Sequence, residues 1–272
     1  MAAVNRESYA AAVEKLTADS ASVTAAQLAT IADEVLAVAR LLRGEPRLRR
    51  ALTDPSRSGE ERAGLFRSLV SGKLSVITVD AIAQLVSGRF SSPHELLDAT
   101  ERLAVDTVLA AGDRDGKLAD VEDELFRFGQ VVSGNSELAV TLSDPSAPAD
   151  RKAKLVEDLL KSKAQPATVQ LIKVALDGFG GRSFESSLTK LVELTAAKRD
   201  REIAYVTAAK LLGDAEEQRL AAKLSDIYGR QVSLKVLVDP SIIGGLSVRV
   251  GSDLYDGTIL RRLNAARQAF AK

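Results

Sequence analysis

The sequence predicts a mainly α chain, a duplicated helical bundle followed by a small α/β domain. Three observations predict it. LTDPS at 52–56 returns as LSDPS at 142–146, and sliding the chain over itself by 90 places keeps about three positions in ten identical from 28 to 88. Both copies carry apolar residues at helical spacing. After about residue 201 the apolar period drops to two, the mark of half-buried strands.

The first helix lies in SYAAAVEKL, with Tyr9, Val13 and Leu16 on one face. Leu28, Ile31, Val35, Val38 and Leu42 then step by three and four, one apolar stripe of a helix. Leu118, Val121, Leu125, Phe128 and Val132 repeat that stripe, and Gly44 and Gly134 act as stops. A short apolar turn leads into each DPS, where proline forbids continuation. Ser58 with Glu61 reads as a capping box for the next helix, and Pro148 suits the first turn of its twin. Val79, Ile82 and Val86 mark a further helix, matched by Val169, Ile172 and Leu176, with ends at Gly88 and Gly178. The second copy's helix one falls in ELLDATERLAVDTVL, which is already the last helix of the first. One helix thus serves twice. The domains are read as bundles over 1–111 and 97–201 and an α/β domain over 202–272.

In that last domain EIAYVTAAKLL opens as a β-branched run with Ile203 and Tyr205 facing one way, and Leu220, Leu224 and Ile227 mark a helix. QVSLKVLV alternates, with Val232, Leu234, Val236 and Val238 opposite Ser233 and Lys235, and LSVRV does the same. Strand, helix, strand makes a crossover unit. Gly244, Gly245, Gly251 and Ser252 supply turns around the short strand. Asp256 or Thr258 is expected to cap a final helix with Ile259, Leu263, Ala266 and Phe270 inward. The third DPS, Asp239-Pro240-Ser241, therefore follows a strand and is an echo of the other two.

The chemistry of the chain is sparse. Lys+Arg and Asp+Glu balance at 37 each, which argues against broad capture of nucleic acid or anionic lipid. No Cys and a single His leave almost no nucleophile or metal ligand set. His94, in SSPHE, reads as the solvated start of a helix capped by Ser92. IIGGLSVRVG and SGKL both lack a phosphate-loop pattern. No catalytic residue, cofactor, metal or small-molecule substrate is expected. No stretch approaches the roughly 20 apolar residues of a membrane span, and the N-terminus lacks the apolar core of a signal peptide. RLLRGEPRLRR (40–50) carries five Arg that the second copy lacks, either a solvated helix end or a docking patch for an acidic partner surface or, as the lesser alternative, for nucleic acid. AAKRDRE (196–202) reads as a solvated junction.

VDPSIIGGLSVRVGSDLYDGTILRRL (238–263) resembles the C-terminal signature of the ATP synthase δ (OSCP) family. Asp239, Pro240, Ser241, Gly244, Gly245, Gly251, Asp256, Gly257, Thr258, Arg262 and Leu263 fit it. The N-terminal SYAAAVEKL resembles the family's first helix, and IAYVTAAKLL the strand that opens its C-terminal domain. The resemblance implies a non-catalytic stator subunit at the cytoplasmic face of the cell membrane, with one bundle more than the usual member. It implies two partners, the N-terminal helices of the α subunits and the peripheral-stalk b subunit. The α-subunit helix would lie between the first and fifth helices, at Tyr9, Val13, Leu16, Val79 and Ile82, or in the second bundle at Leu103, Val169 and Ile172. The alternative is a helical-repeat adaptor that binds amphipathic helices in another complex.

Overall fold

The computed structural model describes residues 3–144, 146–199, 201–229, 231–251, 253–261 and 263. The chain divides into two compact units, Met1–Leu191 and Val192–Lys272. The division falls inside a helix, upstream of the expected junction at 201.

The first unit holds α1 (Ala3–Asp19), α2 (Ala25–Gly44), α3 (Pro46–Leu52), α4 (Gly59–Val70), α5 (Val76–Ser87), α6 (Pro93–Arg114), α7 (Leu118–Ser133), α8 (Ser136–Ser143), α9 (Ala149–Leu160) and α10 (Pro166–Leu176). A 3₁₀ turn at Phe179–Gly181 follows, and α11 (Phe184–Lys198) crosses into the second unit. Both predicted stripes are buried along their whole length in α2 and α7. The expected turns before the first two DPS strings are instead the short helices α3 and α8. Pro46 at the first position starts one, and the Asn135 side chain, accepting from Leu138 N–H at 3.0 Å, starts the other. Pro148 sits at the cap of α9 rather than within its first turn.

Two polar devices recur at offset 90. Glu34 on α2 accepts from the Ser75 N–H and hydroxyl and from the Thr78 hydroxyl at the start of α5. Glu124 on α7 accepts from the Gln165 N–H (2.8 Å) and the Thr168 hydroxyl (2.5 Å) at the start of α10. In each copy a carboxylate thus satisfies donors at a helix start that would otherwise be unpaired. Buried Arg62 donates to the carbonyls of Asp54, Arg57, Val86, Ser87 and Gly88, and buried Lys152 donates to Asp144 O at 3.0 Å. A cation there closes the DPS turn in both copies.

The second unit holds β1 (Arg201–Ala208), α12 (Asp214–Tyr228), β2 (Gln231–Val238), β3 (Leu246–Val250) and β4 (Asp253–Asp256). The sheet order is β2-β1-β3-β4, with β1 parallel to β2 and the other pairs antiparallel. Ala204, Val206, Val232, Val248 and Val250 form the core under Leu224 of α12. Tyr228 rather than Ile227 completes the helix stripe, since Leu220, Leu224 and Tyr228 fall on one face and Ile227 is exposed. On β2, Val238 is exposed at the strand end, and Lys235 is buried on the face expected to be polar. β4 went unforeseen because a four-residue edge strand has no buried face to impose a period. Ile259 and Leu263 are exposed rather than inward, while Ala266 and Phe270 lie outside the described residues. The expected solvated junction includes fully buried Ala196, because α11 continues to Lys198.

The loop between the fourth and fifth helices of each copy takes a left-handed residue at the same place. It is Gly72 (φ 70°) in the first and Ser162 (φ 61°) in the second. A side chain at positive φ costs roughly 1 kcal/mol that glycine avoids. Ser162→Gly is therefore expected to raise unfolding free energy by roughly 0.5–1 kcal/mol, and Gly72→Ser to lower it by a similar amount. Urea denaturation of the two variants checks both signs.

Candidate functional site

The residues expected to grip a helix divide by burial. Ile82, Leu103 and Ile172 are fully buried and Leu16 nearly so, so they support the bundle from within. Tyr9, Val13, Val79 and Val169 are half-buried. Tyr9 turns toward α6, where its hydroxyl donates to Asp106, itself bonded by Arg102 at 3.0 Å. Burial, then the charge and hydrogen bond of Asp106, push the Tyr9 phenol far above the ordinary tyrosine range.

α1 packs along α5 with opposite direction. Ser8 sits against Gly88, where a Cβ would lie 2.3 Å from the Ser8 Cβ, and Lys15 feels the Asp80 carboxylate. Ser8, Ala11 and Lys15 share one face of α1, and Ile77, Asp80 and Gln84 share one face of α5; the Ser8–Gly88 and Lys15–Asp80 approaches set these faces on the outer seam between the helices. All six are at least partly exposed. The residues implied by the family resemblance do not include these six, since small and polar residues give no periodic signal.

The helix expected to serve both copies is α6, and its register differs from the expected one. α6 packs on α1, α2, α3 and α5 of the first copy and on α7, α10 and the 3₁₀ turn of the second. Thirteen of its 22 residues are buried. α1 buries Ala12 and Leu16, whereas their offset-90 equivalents on α6, Arg102 and Asp106, stay half exposed. Val105 and Leu109, at offset 93, are buried instead. The connection after α6 (115–117) is also shorter than that after α1 (20–24). Val13 then corresponds to Asp106, and Leu103 is a core residue.

The C-terminal signature is a clasp. Gly244 O accepts from Ile259 N–H, and Leu246 O accepts from Gly257 N–H, both at 2.9 Å. A Cβ on Gly245 (φ 83°) would stand 2.5 Å from Gly257 O, and one on Gly244 would stand 2.7 Å from Ile259 Cδ1. Gly245 is needed because backbone meets backbone there, whereas Gly244 makes room for the Ile259 side chain. Thr258 accepts from Arg261 N–H at 3.4 Å and so acts as the cap, while Asp256 accepts from Thr258 N–H at 3.0 Å and fixes the turn before it. Gly251 (φ 56°) turns β3 into β4. Arg262 lies outside the described residues. The third DPS folds locally like the first two: Asp54, Asp144 and Asp239 accept from the serine N–H two residues on at 2.9, 2.8 and 2.9 Å. The serine hydroxyl first, then this N–H, holds each carboxyl below the usual range.

Among the described residues no group of His, Cys, Asp or Glu is placed to hold a metal. The sequence model of the family described as ATP synthase delta (OSCP) subunit matches the chain twice, over residues 6–108 and 105–270. The chain belongs to this family. The two OSCP matches meet inside α6, the helix that serves both bundles. Relatives named ATP synthase subunit delta align end to end. That of Salinispora arenicola is 58% identical, covering 100% of this chain and 99% of its own length. That of Streptomyces griseus is 44% identical, covering 100% of both chains. A chain of the Toxoplasma gondii mitochondrial ATP synthase hexamer matches 62% of this chain and 95% of its own, with 17% identity and a TM-score of 0.37.

Two outcomes test the site. Tyr9 has its folded pKa raised above the unfolded value near 10, so its stabilisation is complete below pH 10 and fades as pH rises beyond it. Tyr9→Phe should cost about 1 kcal/mol at pH 8 and progressively less above pH 10, as read from urea midpoints at both ends. Gly245→Ala should destabilise the second unit by at least about 2 kcal/mol, seen as faster amide exchange in β3 and β4 with α2 and α6 unchanged.

Proposed function

We propose that the chain is the delta subunit of an F-type ATP synthase, a non-catalytic part of the stator. The observation that carries this is the tiling of the whole chain by two family matches, the second including the C-terminal clasp. In this reading the helical unit holds N-terminal helices of the α subunits on the catalytic head. The C-terminal unit holds the end of the peripheral-stalk b subunit. The link keeps the head from turning with the rotor, so that proton flow drives ATP synthesis. The chain sits at the cytoplasmic face of the membrane through its partners. That no described helix is long and apolar enough to cross a membrane agrees with this.

Packed helices suit the task. A bundle presents a seam into which an amphipathic helix can lay one face, and the buried stripes of α2 and α7 make the platform stiff.

Reconstitution tests the proposal. Membranes whose ATP synthase has been stripped of this subunit should hydrolyse ATP without pumping protons, and adding the purified chain should restore ATP-driven acidification. Pumping that is indifferent to the chain would refute the stator role.

A further inference from the structure

Register on the shared helix shows what became of the second copy's outer seam. With α1 and α6 aligned at offset 93 and α5 and α10 at offset 90, the six seam residues of the first copy have definite counterparts. Ser8, Ala11 and Lys15 become Glu101, Ala104 and Val108, while Ile77, Asp80 and Gln84 become Ala167, Gln170 and Val174. Four of these counterparts, Glu101, Ala104, Val108 and Val174, are buried, although the residues they replace are not.

The cover is α2. Asp33 Oδ1 accepts from Gln170 Nε2 at 2.6 Å, Arg40 pairs with Asp177 at 3.8 Å, and Arg43 pairs with Glu101. The other Glu101 oxygen accepts from Gly180 N–H at 2.9 Å. Leu36 and Ala39 face Val174 and Glu101 across a crevice of about 10 Å³, room for one water at most. Asp33, Leu36, Arg40 and Arg43 follow one another by three, four and three, so a single amphipathic face of α2 fills the seam. Two of the five arginines of RLLRGEPRLRR are thereby explained. Arg40 and Arg43 bind the second copy, and the second copy has no third bundle for Gln130 and Ser133 to bind.

We propose that the second bundle is not a second grip, because its helix-binding seam is permanently filled by α2; this leaves the seam between α1 and α5, the groove that the family resemblance already implies, as the open one. The occupant of the open seam is an amphipathic helix of a partner, for which α2 in the equivalent seam is the internal precedent. The second half rests on the stator reading above; the first half does not. The residue exchange fits both halves. Val108 and Val174 suit a permanent dry contact, whereas Lys15 and Gln84 suit a surface that is wet until a partner arrives.

The native chain has no cysteine, so thiols can be placed at will. Asp33→Cys with Gln170→Cys should cross-link nearly completely with a short bismaleimide, in the free chain and in the reconstituted complex. Calorimetric titration with a peptide of the α-subunit N-terminus should give one site per chain. The cross-linked chain should bind as tightly as the unlinked one. Gln84→Arg, an exposed change on α5, should weaken binding at least tenfold without altering the melting temperature.

Two sites per chain, or weaker binding after cross-linking, would overturn the filled seam as a permanent feature and make α2 a displaceable cover. Failure to cross-link would overturn it directly. Unchanged binding by Gln84→Arg, or no binding by folded wild type, would overturn the open seam and leave the filled seam to be decided by the cross-link.

Discussion

The constraint on which the first unit depends is that α6 must be buried on nearly every side. A helix with one wet face needs one apolar stripe; a helix shared by two bundles needs apolar or neutralised surface all round. α6 meets this with Leu, Val and Ala. Thr100 and Thr107 turn their hydroxyls back to Leu96 O and Leu103 O at 2.8 and 2.6 Å. Its buried charge, Glu101, is divided between Arg43 of one copy and Gly180 of the other. A buried carboxylate without both partners would be costly. The pairing therefore specifies how α2, α6 and the turn after α10 meet.

Duplication explains both the symmetry and its failures. Glu34 with Glu124, and Arg62 with Lys152, solve the same local problem twice, satisfying helix ends that any copy of this bundle would leave unpaired. Positions that face the other copy have no reason to stay alike, since each copy has a neighbour on a different side. Lys15 and Val108, or Gln84 and Val174, differ for that reason. The C-terminal unit follows another logic, in which Gly245 admits the backbone of Gly257 and Thr258 and Gly244 admits the Ile259 side chain. The family signature is thus largely the requirement of a clasp, and it identifies the fold more directly than it identifies a contact with a partner.

Much of this was legible in the residues. The offset of 90, the stripes of α2 and α7, the caps at Ser58 and Ser92, the parallel pairing of β1 with β2 and the shared helix all follow from spacing, because helix and strand periods are properties of the local backbone. Family membership was legible too, from 238–263. The candidate grip was legible only in part. The residues that the family resemblance implied include Ile82, Leu103 and Ile172, which the core consumes.

What the sequence by itself determined is therefore the set of elements, their repetition and their local ends, each fixed by residues within a few turns of one another. What only the tertiary structure decided is which faces remain free. The slip to offset 93 on α6, the bond from Gln170 to Asp33 of α2 and the pairings of Arg40 and Arg43 join residues 58 to 137 positions apart. No local period records such contacts, because they depend on how whole helices pack.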